Sequence, residues 1–157
     1  MAYELQAVIA SSQLLRAVSE GLTHVRLAQL GHGVSLLPIT DEFFDEVSDG
    51  GASGAMGFWR MPGGFDQVIA QWSVSGAVAY VEAEYFGGIG EQRAAVWTDS
   101  AVVLGPLHVA EQQPFPAQGS PISQALRRIG VTSDGAVDEF AAVGLDRHRH
   151  MDDWLSG

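Results

Sequence analysis

The sequence predicts a mixed α+β fold in which one antiparallel sheet is covered by several short helices. Residues 76–107 supply three consecutive stretches in which side chains alternate with the period of two that is typical of strands. Two further alternating stretches lie nearer the N-terminus, and helical apolar spacing flanks the central strands. At 157 residues, 46% of them hydrophobic, the chain is expected to form a single domain over residues 1–157. We expect the helices to cover one face of the sheet.

The N-terminal third predicts a strand, a helix and a hairpin. Residues 3–9 alternate as an opening strand, and Ser11 or Ser12 can cap the helix that follows. Residues 24–30 and 34–39 alternate again on either side of a Gly-His-Gly turn, which predicts two paired strands.

Four more helices are predicted from caps and apolar spacing. Thr40 caps a short segment that ends near Asp49, and the apolar spacing over residues 65–72 predicts the next helix. Ser120 followed by a proline begins another helix, because proline is favoured at the first helical position. A last short helix is expected over 137–143.

The central strands are expected to turn at a glycine-rich loop, residues 87–90, and again at residues 98–100. With that first loop, Glu84 lies opposite Arg93, a cross-strand pair worth roughly 0.2–1 kcal/mol. Glu82 and Glu84 share the polar face of their strand because side chains two residues apart point the same way.

Composition excludes several classes of function. The chain has no cysteine, so disulfides, thiolate metal sites and cysteine nucleophiles are excluded. All eight cations are arginine, which excludes Schiff-base and P-loop lysines. The net charge of -11 disfavours nucleic acid and anionic lipid as partners and favours a basic protein. No apolar run approaches a membrane span, and an acidic residue stands where a signal peptide is positive, so we expect a cytoplasmic protein without a cofactor.

The densest acidic run lies on the helix that Thr40 caps. It is a candidate binding surface for a basic partner, although such runs are most often solvated helix faces. Its members are Asp41, Glu42, Asp45, Glu46 and Asp49.

A second candidate lies on the central strands. Glu82 and Glu84 are adjacent carboxylates on one face, an arrangement that can divide acid and base roles, and Arg93 could hold an anion. A solvated strand face is the alternative interpretation. The flanking polar cluster consists of Tyr85, Glu91, Gln92 and Trp97.

The C-terminal residues 145–157 are predicted as either an ordered arm or a loosely ordered tail. His148, His150 and Asp152 could contribute to a zinc site, but the spacing fixes no complete ligand set and the neighbouring arginines repel a cation. The favoured alternative is that the tail's cations dock on the protein's own acidic surface.

The run from Tyr80 to Gln92, followed by Ala94, Ala95 and Val96, resembles a segment of small uncharacterised bacterial proteins. Some of these acidic proteins are similar in size to immunity proteins, which neutralise secreted toxins. The resemblance covers about one tenth of the chain. It implies an inhibitor or binding module and no catalytic residues.

Three functions follow as hypotheses. The preferred one is a non-enzymatic, immunity-type protein that captures a basic protein partner through the acidic run. The alternative is a small hydrolase or ligand-binding enzyme that uses Glu82, Glu84 and Arg93 in a pocket. An oligomeric structural module is the third, and it predicts a large apolar sheet face that the chain's own helices leave uncovered.

Overall fold

The computed structural model describes residues 2–155, which form six strands, five α-helices and three short 3₁₀ turns. The strands are β1 Ala2–Ser11, β2 Ala28–Gln29, β3 Val34–Pro38, β4 Val78–Phe86, β5 Ile89–Thr98 and β6 Ala101–Val109. The helices are α1 Ser12–Ser19, α2 Asp41–Val47, α3 Phe65–Trp72, α4 Pro121–Arg128 and α5 Glu139–Val143. The 3₁₀ turns are Ala55–Gly57, Leu145–Arg147 and Met151–Leu155.

The six strands form one antiparallel sheet in the order β2-β3-β1-β4-β5-β6. The predicted α+β fold class is confirmed. The N-terminal strand β1 lies inside the sheet, between β3 and β4. Three helices begin where the local caps predict, because Ser11, Thr40 and Ser120 each accept a backbone N–H from the first helical turn.

The turn between β4 and β5 is shorter than the predicted loop of residues 87–90. Gly87 and Gly88 have φ of 62° and 82°, so they form the two-residue turn in which both central residues need positive φ. Phe86 therefore pairs with Ile89, and the predicted pairing of Glu84 with Arg93 is wrong. The register moves by two residues, so every side chain keeps its predicted face.

Both faces of the sheet are covered, which corrects the expectation that the helices cover one. Buried side chains of α1, α2 and α3 pack on the face that carries Val8, Tyr80 and Trp97. Buried side chains of α4, α5 and the C-terminal turns pack on the face that carries Ile9 and Val81. The sheet can carry apolar residues on both sides because β1 and β4 are interior strands with nearly continuous buried runs.

The first predicted hairpin is also shorter than expected. Only Ala28–Gln29 of the predicted strand 24–30 pairs with β3. The backbone N–H groups of Thr23 and His24 instead donate to the carboxylate of Glu46, at 2.7 Å each. Because these two N–H groups are bonded to a side chain of α2, they are not available to extend the pairing between β2 and β3.

The C-terminal segment packs along the half of β1 that β3 does not reach. The Glu4 N–H donates to the carbonyl of Arg149 at 2.8 Å, and the Tyr3 hydroxyl donates to the carbonyl of Leu145 at 3.0 Å. Leu145 and Trp154 are buried. The predicted tail is thus fixed to the sheet as far as residue 155, and Ser156 and Gly157 lie outside the described residues.

Within residues 2–155, no helix combines the length and the apolar character that crossing a bilayer requires.

Candidate functional site

The carboxylate of Glu82 is sealed beneath the segment that precedes α3. Its side chain is fully buried, and its two oxygens accept the backbone N–H of Trp59 at 2.6 Å and that of Arg60 at 2.8 Å. The Tyr80 hydroxyl donates to the same carboxylate at 3.0 Å. An ionised carboxylate only accepts hydrogen bonds, and these three donors satisfy it. Glu82 therefore fastens the Trp59–Arg60 segment to the sheet.

Burial raises the pKa of Glu82, and the three donors and the nearby charge of Arg93 act against that rise. Burial together with the Glu82 charge also raises the pKa of Tyr80, so its phenol stays protonated and remains a donor. Neither oxygen of Glu82 is open to a bound molecule. Glu84, two residues along the same strand, is exposed, so the two predicted acid–base partners lie in different environments.

Three glutamates lie directly opposite one another on β1, β4 and β5. Glu4 pairs with Glu84, and Glu84 pairs in turn with Glu91, so the three side chains share one face of the sheet. Directly opposite Cβ atoms are about 4.5–5.5 Å apart, and like charges at that distance destabilise a sheet. We call Glu4, Glu84 and Glu91 the glutamate row.

Compensating charge reaches only one end of the glutamate row. Glu91 accepts from Arg93 at 3.1 Å and contacts the ring of His108 at 3.0 Å. Burial alone would raise the pKa of Glu91, but these hydrogen bonds hold it below its ordinary value. Glu4 and Glu84 are exposed and form no ion pair within residues 2–155. The row therefore presents uncompensated negative charge to solvent.

Two hollows border the glutamate row. The Arg60 hollow, of about 350 Å³, is lined by Glu4 of the row together with Asp41, Glu42, Asp152 and Arg60. The Trp59 hollow, of about 220 Å³, is lined by Trp59, Glu84, Glu91 and Glu111. Since Trp59 and Arg60 are consecutive and both are fixed by Glu82, the buried carboxylate sets the walls of both hollows.

Exposed apolar side chains lie beside these acids. The Trp59 side chain is 38% exposed, and the guanidinium of Arg93 lies 4.8 Å from the centre of its ring. Phe86 and Ile89 flank the hairpin turn on the same face as the row and are 77% and 49% exposed. Tryptophan, phenylalanine and arginine are among the residues that are enriched at protein interfaces.

The predicted acidic run is not wholly on one helix, because α2 ends at Val47 and Asp49 lies beyond it, and the run is divided between internal contacts and solvent. Asp41 pairs with Arg60, and Asp49 accepts the N–H of Gly51 at 2.8 Å. Two N–H donors lower the pKa of Glu46, which ties the segment before β2 to α2. Glu42 and Asp45 are exposed. Asp41 and Glu42 also line the Arg60 hollow, so this end of the run adjoins the glutamate row.

The predicted polar cluster is split between the two faces. Gln92 accepts the N–H of Ile122 at 3.0 Å on the α4 side, and Tyr85 packs on that same face. Glu91 lies on the opposite face, and Trp97 lies far along it within the apolar core, 3% exposed. The structure therefore does not bring the four residues together.

The three candidate metal ligands, His148, His150 and Asp152, make contacts with different parts of the molecule. The ring of His148 packs against Trp154 with centroids 4.6 Å apart, and His150 is exposed. Asp152 lines the Arg60 hollow. Over residues 2–155, no three His, Cys, Asp or Glu side chains are grouped in a way that could hold a metal ion.

Sequence reasoning missed Glu4, Trp59 and Glu111 as members of the site. Glu4 occupies an alternating polar position in a predicted strand, but its partner depends on which strand lies beside it. Trp59 stands out as one of two large aromatics before a turn, which is the one local signal that could have drawn attention to it.

Comparison of the chain with protein-family models, with curated proteins and with solved structures finds no match in any of the three. Its function must therefore be argued from the geometry and charge of the site.

Proposed function

We propose that this protein is a non-enzymatic binding protein that captures a basic protein partner, as an immunity-type inhibitor would. The glutamate row carries the proposal. Glu4 and Glu84 lie in direct opposition without a compensating cation, which destabilises the free sheet, and a cation placed over them removes that repulsion. The partner's basic surface is occluded when it docks there.

The remaining charge of the protein supports the same partner class. The net charge of -11 accelerates the approach of a cationic protein, and the effect weakens as salt shortens the Debye length. The two hollows add acids on both sides of the row, and Trp59, on which Arg93 already lies, adds a partly exposed aromatic contact. Phe86 and Ile89 give the docked partner an apolar contact at the tip of the hairpin.

The alternative, a small hydrolase with Glu82 and Glu84 as acid and base, has less support. A general base must come within hydrogen-bond reach of the proton that it takes. Glu82 is fully buried with its oxygens engaged, so a substrate would first have to displace the Trp59–Arg60 segment.

Binding of a fluorescein-labelled oligoarginine peptide, followed by fluorescence anisotropy, tests the proposal. The triple variant Glu4→Gln, Glu84→Gln, Glu91→Gln removes the row. A control with the same net charge replaces three exposed acids outside the glutamate row, its hollows and the acidic run: Glu20→Gln, Asp99→Asn and Asp134→Asn. We expect the row variant to lose about tenfold in affinity at low salt and the control to lose less than about threefold, because close charge pairs act beyond the general field.

Two results would count against the proposal. Equal losses in both triple variants would mean that net charge alone attracts the peptide. Peptide binding by the wild type that does not weaken between about 20 mM and 300 mM salt would exclude charge as its basis.

Glu84→Gln alone should raise the free energy of unfolding by about 0.5 kcal/mol at low salt, since it removes two opposed like-charge contacts.

A further inference from the structure

A groove of about 730 Å³ lies at the β2 edge of the sheet, and Leu155 separates it from the Arg60 hollow. One wall is the extended segment Val25–Gln29, and the other is formed by side chains of the C-terminal segment. We call it the tail groove. Its volume lies within the range of about 300–1,000 Å³ that is usual for small-molecule sites. The C-terminal wall consists of Arg147, His148, Asp153, Trp154 and Leu155.

The charge of the tail groove is opposite to that of the molecule. Two of the chain's eight arginines, Arg26 and Arg147, line it together with His148, against the single carboxylate of Asp153. Two arginines against one carboxylate give the lining a formal charge of +1 in a chain of net charge -11.

Arg147 is held in place without losing its charge. Its Nη2 donates to the carbonyl of Gln29 at 2.8 Å, and its Nε donates to the carbonyl of Gly144 at 3.1 Å. Both acceptors are neutral backbone groups, so no carboxylate neutralises the guanidinium through these bonds. A fixed guanidinium loses little conformational freedom when it binds an anion, and its planar donors match carboxylate and phosphate oxygens.

Trp154 supplies an aromatic wall to the tail groove. Arg147 lies 5.6 Å from the centre of its ring, and the ring of His148 meets it edge to face at 4.6 Å. The indole is 6% exposed, and within the described residues its Nε1 has no hydrogen-bond partner. A buried donor without a partner costs about 1–3 kcal/mol.

We infer that the tail groove binds a small organic anion. Its carboxylate or phosphate group lies between Arg26 and Arg147, and its apolar body packs against Leu27, Trp154 and Leu155. The tail groove takes a ligand of the opposite charge to that expected at the glutamate row, and no residue of the row lines it.

Titration of the ¹⁵N-labelled protein with phenyl phosphate, benzoate, inorganic phosphate and the uncharged benzyl alcohol tests this inference. The indole N–H signal of Trp154, assigned by its loss in Trp154→Phe, reports binding among the four tryptophans. We expect a saturable shift with one of the two aromatic anions and at least about tenfold weaker binding of benzyl alcohol, because the anionic group supplies charge-assisted bonds.

Stronger binding of benzoate assigns a carboxylate ligand, and stronger binding of phenyl phosphate assigns a phosphate. Inorganic phosphate should bind more weakly than phenyl phosphate because it has no apolar body.

Arginine variants decide whether the groove is the site. Arg26→Gln should weaken binding about fivefold or more, and Arg16→Gln, an exposed arginine on α1, should leave it unchanged. Arg147→Gln should weaken it further, but Arg26 gives the cleaner test because it holds no element in place. The inference is overturned if the Trp154 signal shows no saturable shift, if benzyl alcohol binds as well as the anions, or if Arg26→Gln and Arg16→Gln behave alike.

Discussion

Replacement of Glu82 by alanine should destabilise the fold by about 3 kcal/mol. Three buried donors lose a charged acceptor, each bond being worth about 1.5 kcal/mol at the low end for charged groups. Removal of the buried charge offsets part of this loss of stability, because the raised pKa of Glu82 indicates that burying its charge carries a net desolvation penalty. With an m-value of about 2 kcal/mol/M, the urea midpoint should fall by about 1.5 M.

Urea unfolding followed by tryptophan fluorescence measures this loss, and Glu84→Ala is the matched control on the same strand. Because Glu84 is exposed, its replacement should change the free energy of unfolding by no more than about 0.5 kcal/mol. Glu82→Gln should fall between the two, since the amide keeps one accepting oxygen. If Glu82→Ala lies within about 0.5 kcal/mol of the wild type, or if both alanine variants lose equally, Glu82 does not fasten the Trp59–Arg60 segment.

Three further predictions concern acid stability and close packing. Because the pKa of Glu46 is lowered in the folded protein, its contribution to the free energy of unfolding is present above its ordinary pKa of 4.5 and is lost as the pH falls. In urea titrations, the difference in stability between wild type and Glu46→Gln should therefore narrow on acidification. A difference that widens would contradict the assigned hydrogen bonds. The loss caused by Glu82→Ala should instead grow as the pH falls toward 4.5, because a raised pKa has the opposite sign. Gly90→Ala should lower the free energy of unfolding by at least about 2 kcal/mol in thermal or urea unfolding, since a Cβ there would lie 1.9 Å from the carbonyl oxygen of Glu84. Gly21→Ala is the neutral control, because a Cβ at that position meets nothing within 4 Å. Equal effects of the two substitutions would refute the close approach at Gly90.

Elements governed by neighbouring residues could be predicted from the sequence. The helices capped by Ser11, Thr40 and Ser120 begin where local donors meet a side-chain oxygen, and that geometry spans only three residues. The alternation of side chains along β4 and β5 was predicted correctly for a similar reason, because alternation is a local property, although Glu82 and Trp97 on the predicted polar face are buried.

Features that depend on distant pairing could not be predicted. Several glycines near the turn allowed more than one loop length, and only the positive φ of Gly87 and Gly88 selects the two-residue turn. Glu82 carries the same local signal as Glu84, and it is buried only because Trp59 and Arg60, more than twenty residues earlier, close over it. The glutamate row likewise needs β1 beside β4, a neighbour relation that no stretch of sequence specifies.

The interior position of β1 has a consequence for synthesis. β1 leaves the ribosome before both of its partner strands, it is apolar on both sides over residues 7–10, and the partner along one of its edges is made only when Val78–Phe86 has been translated. Until then the nascent chain presents an open strand edge together with unprotected Leu5, Val8 and Ile9, the combination that chaperones recognise and that aggregates when it is left unattended.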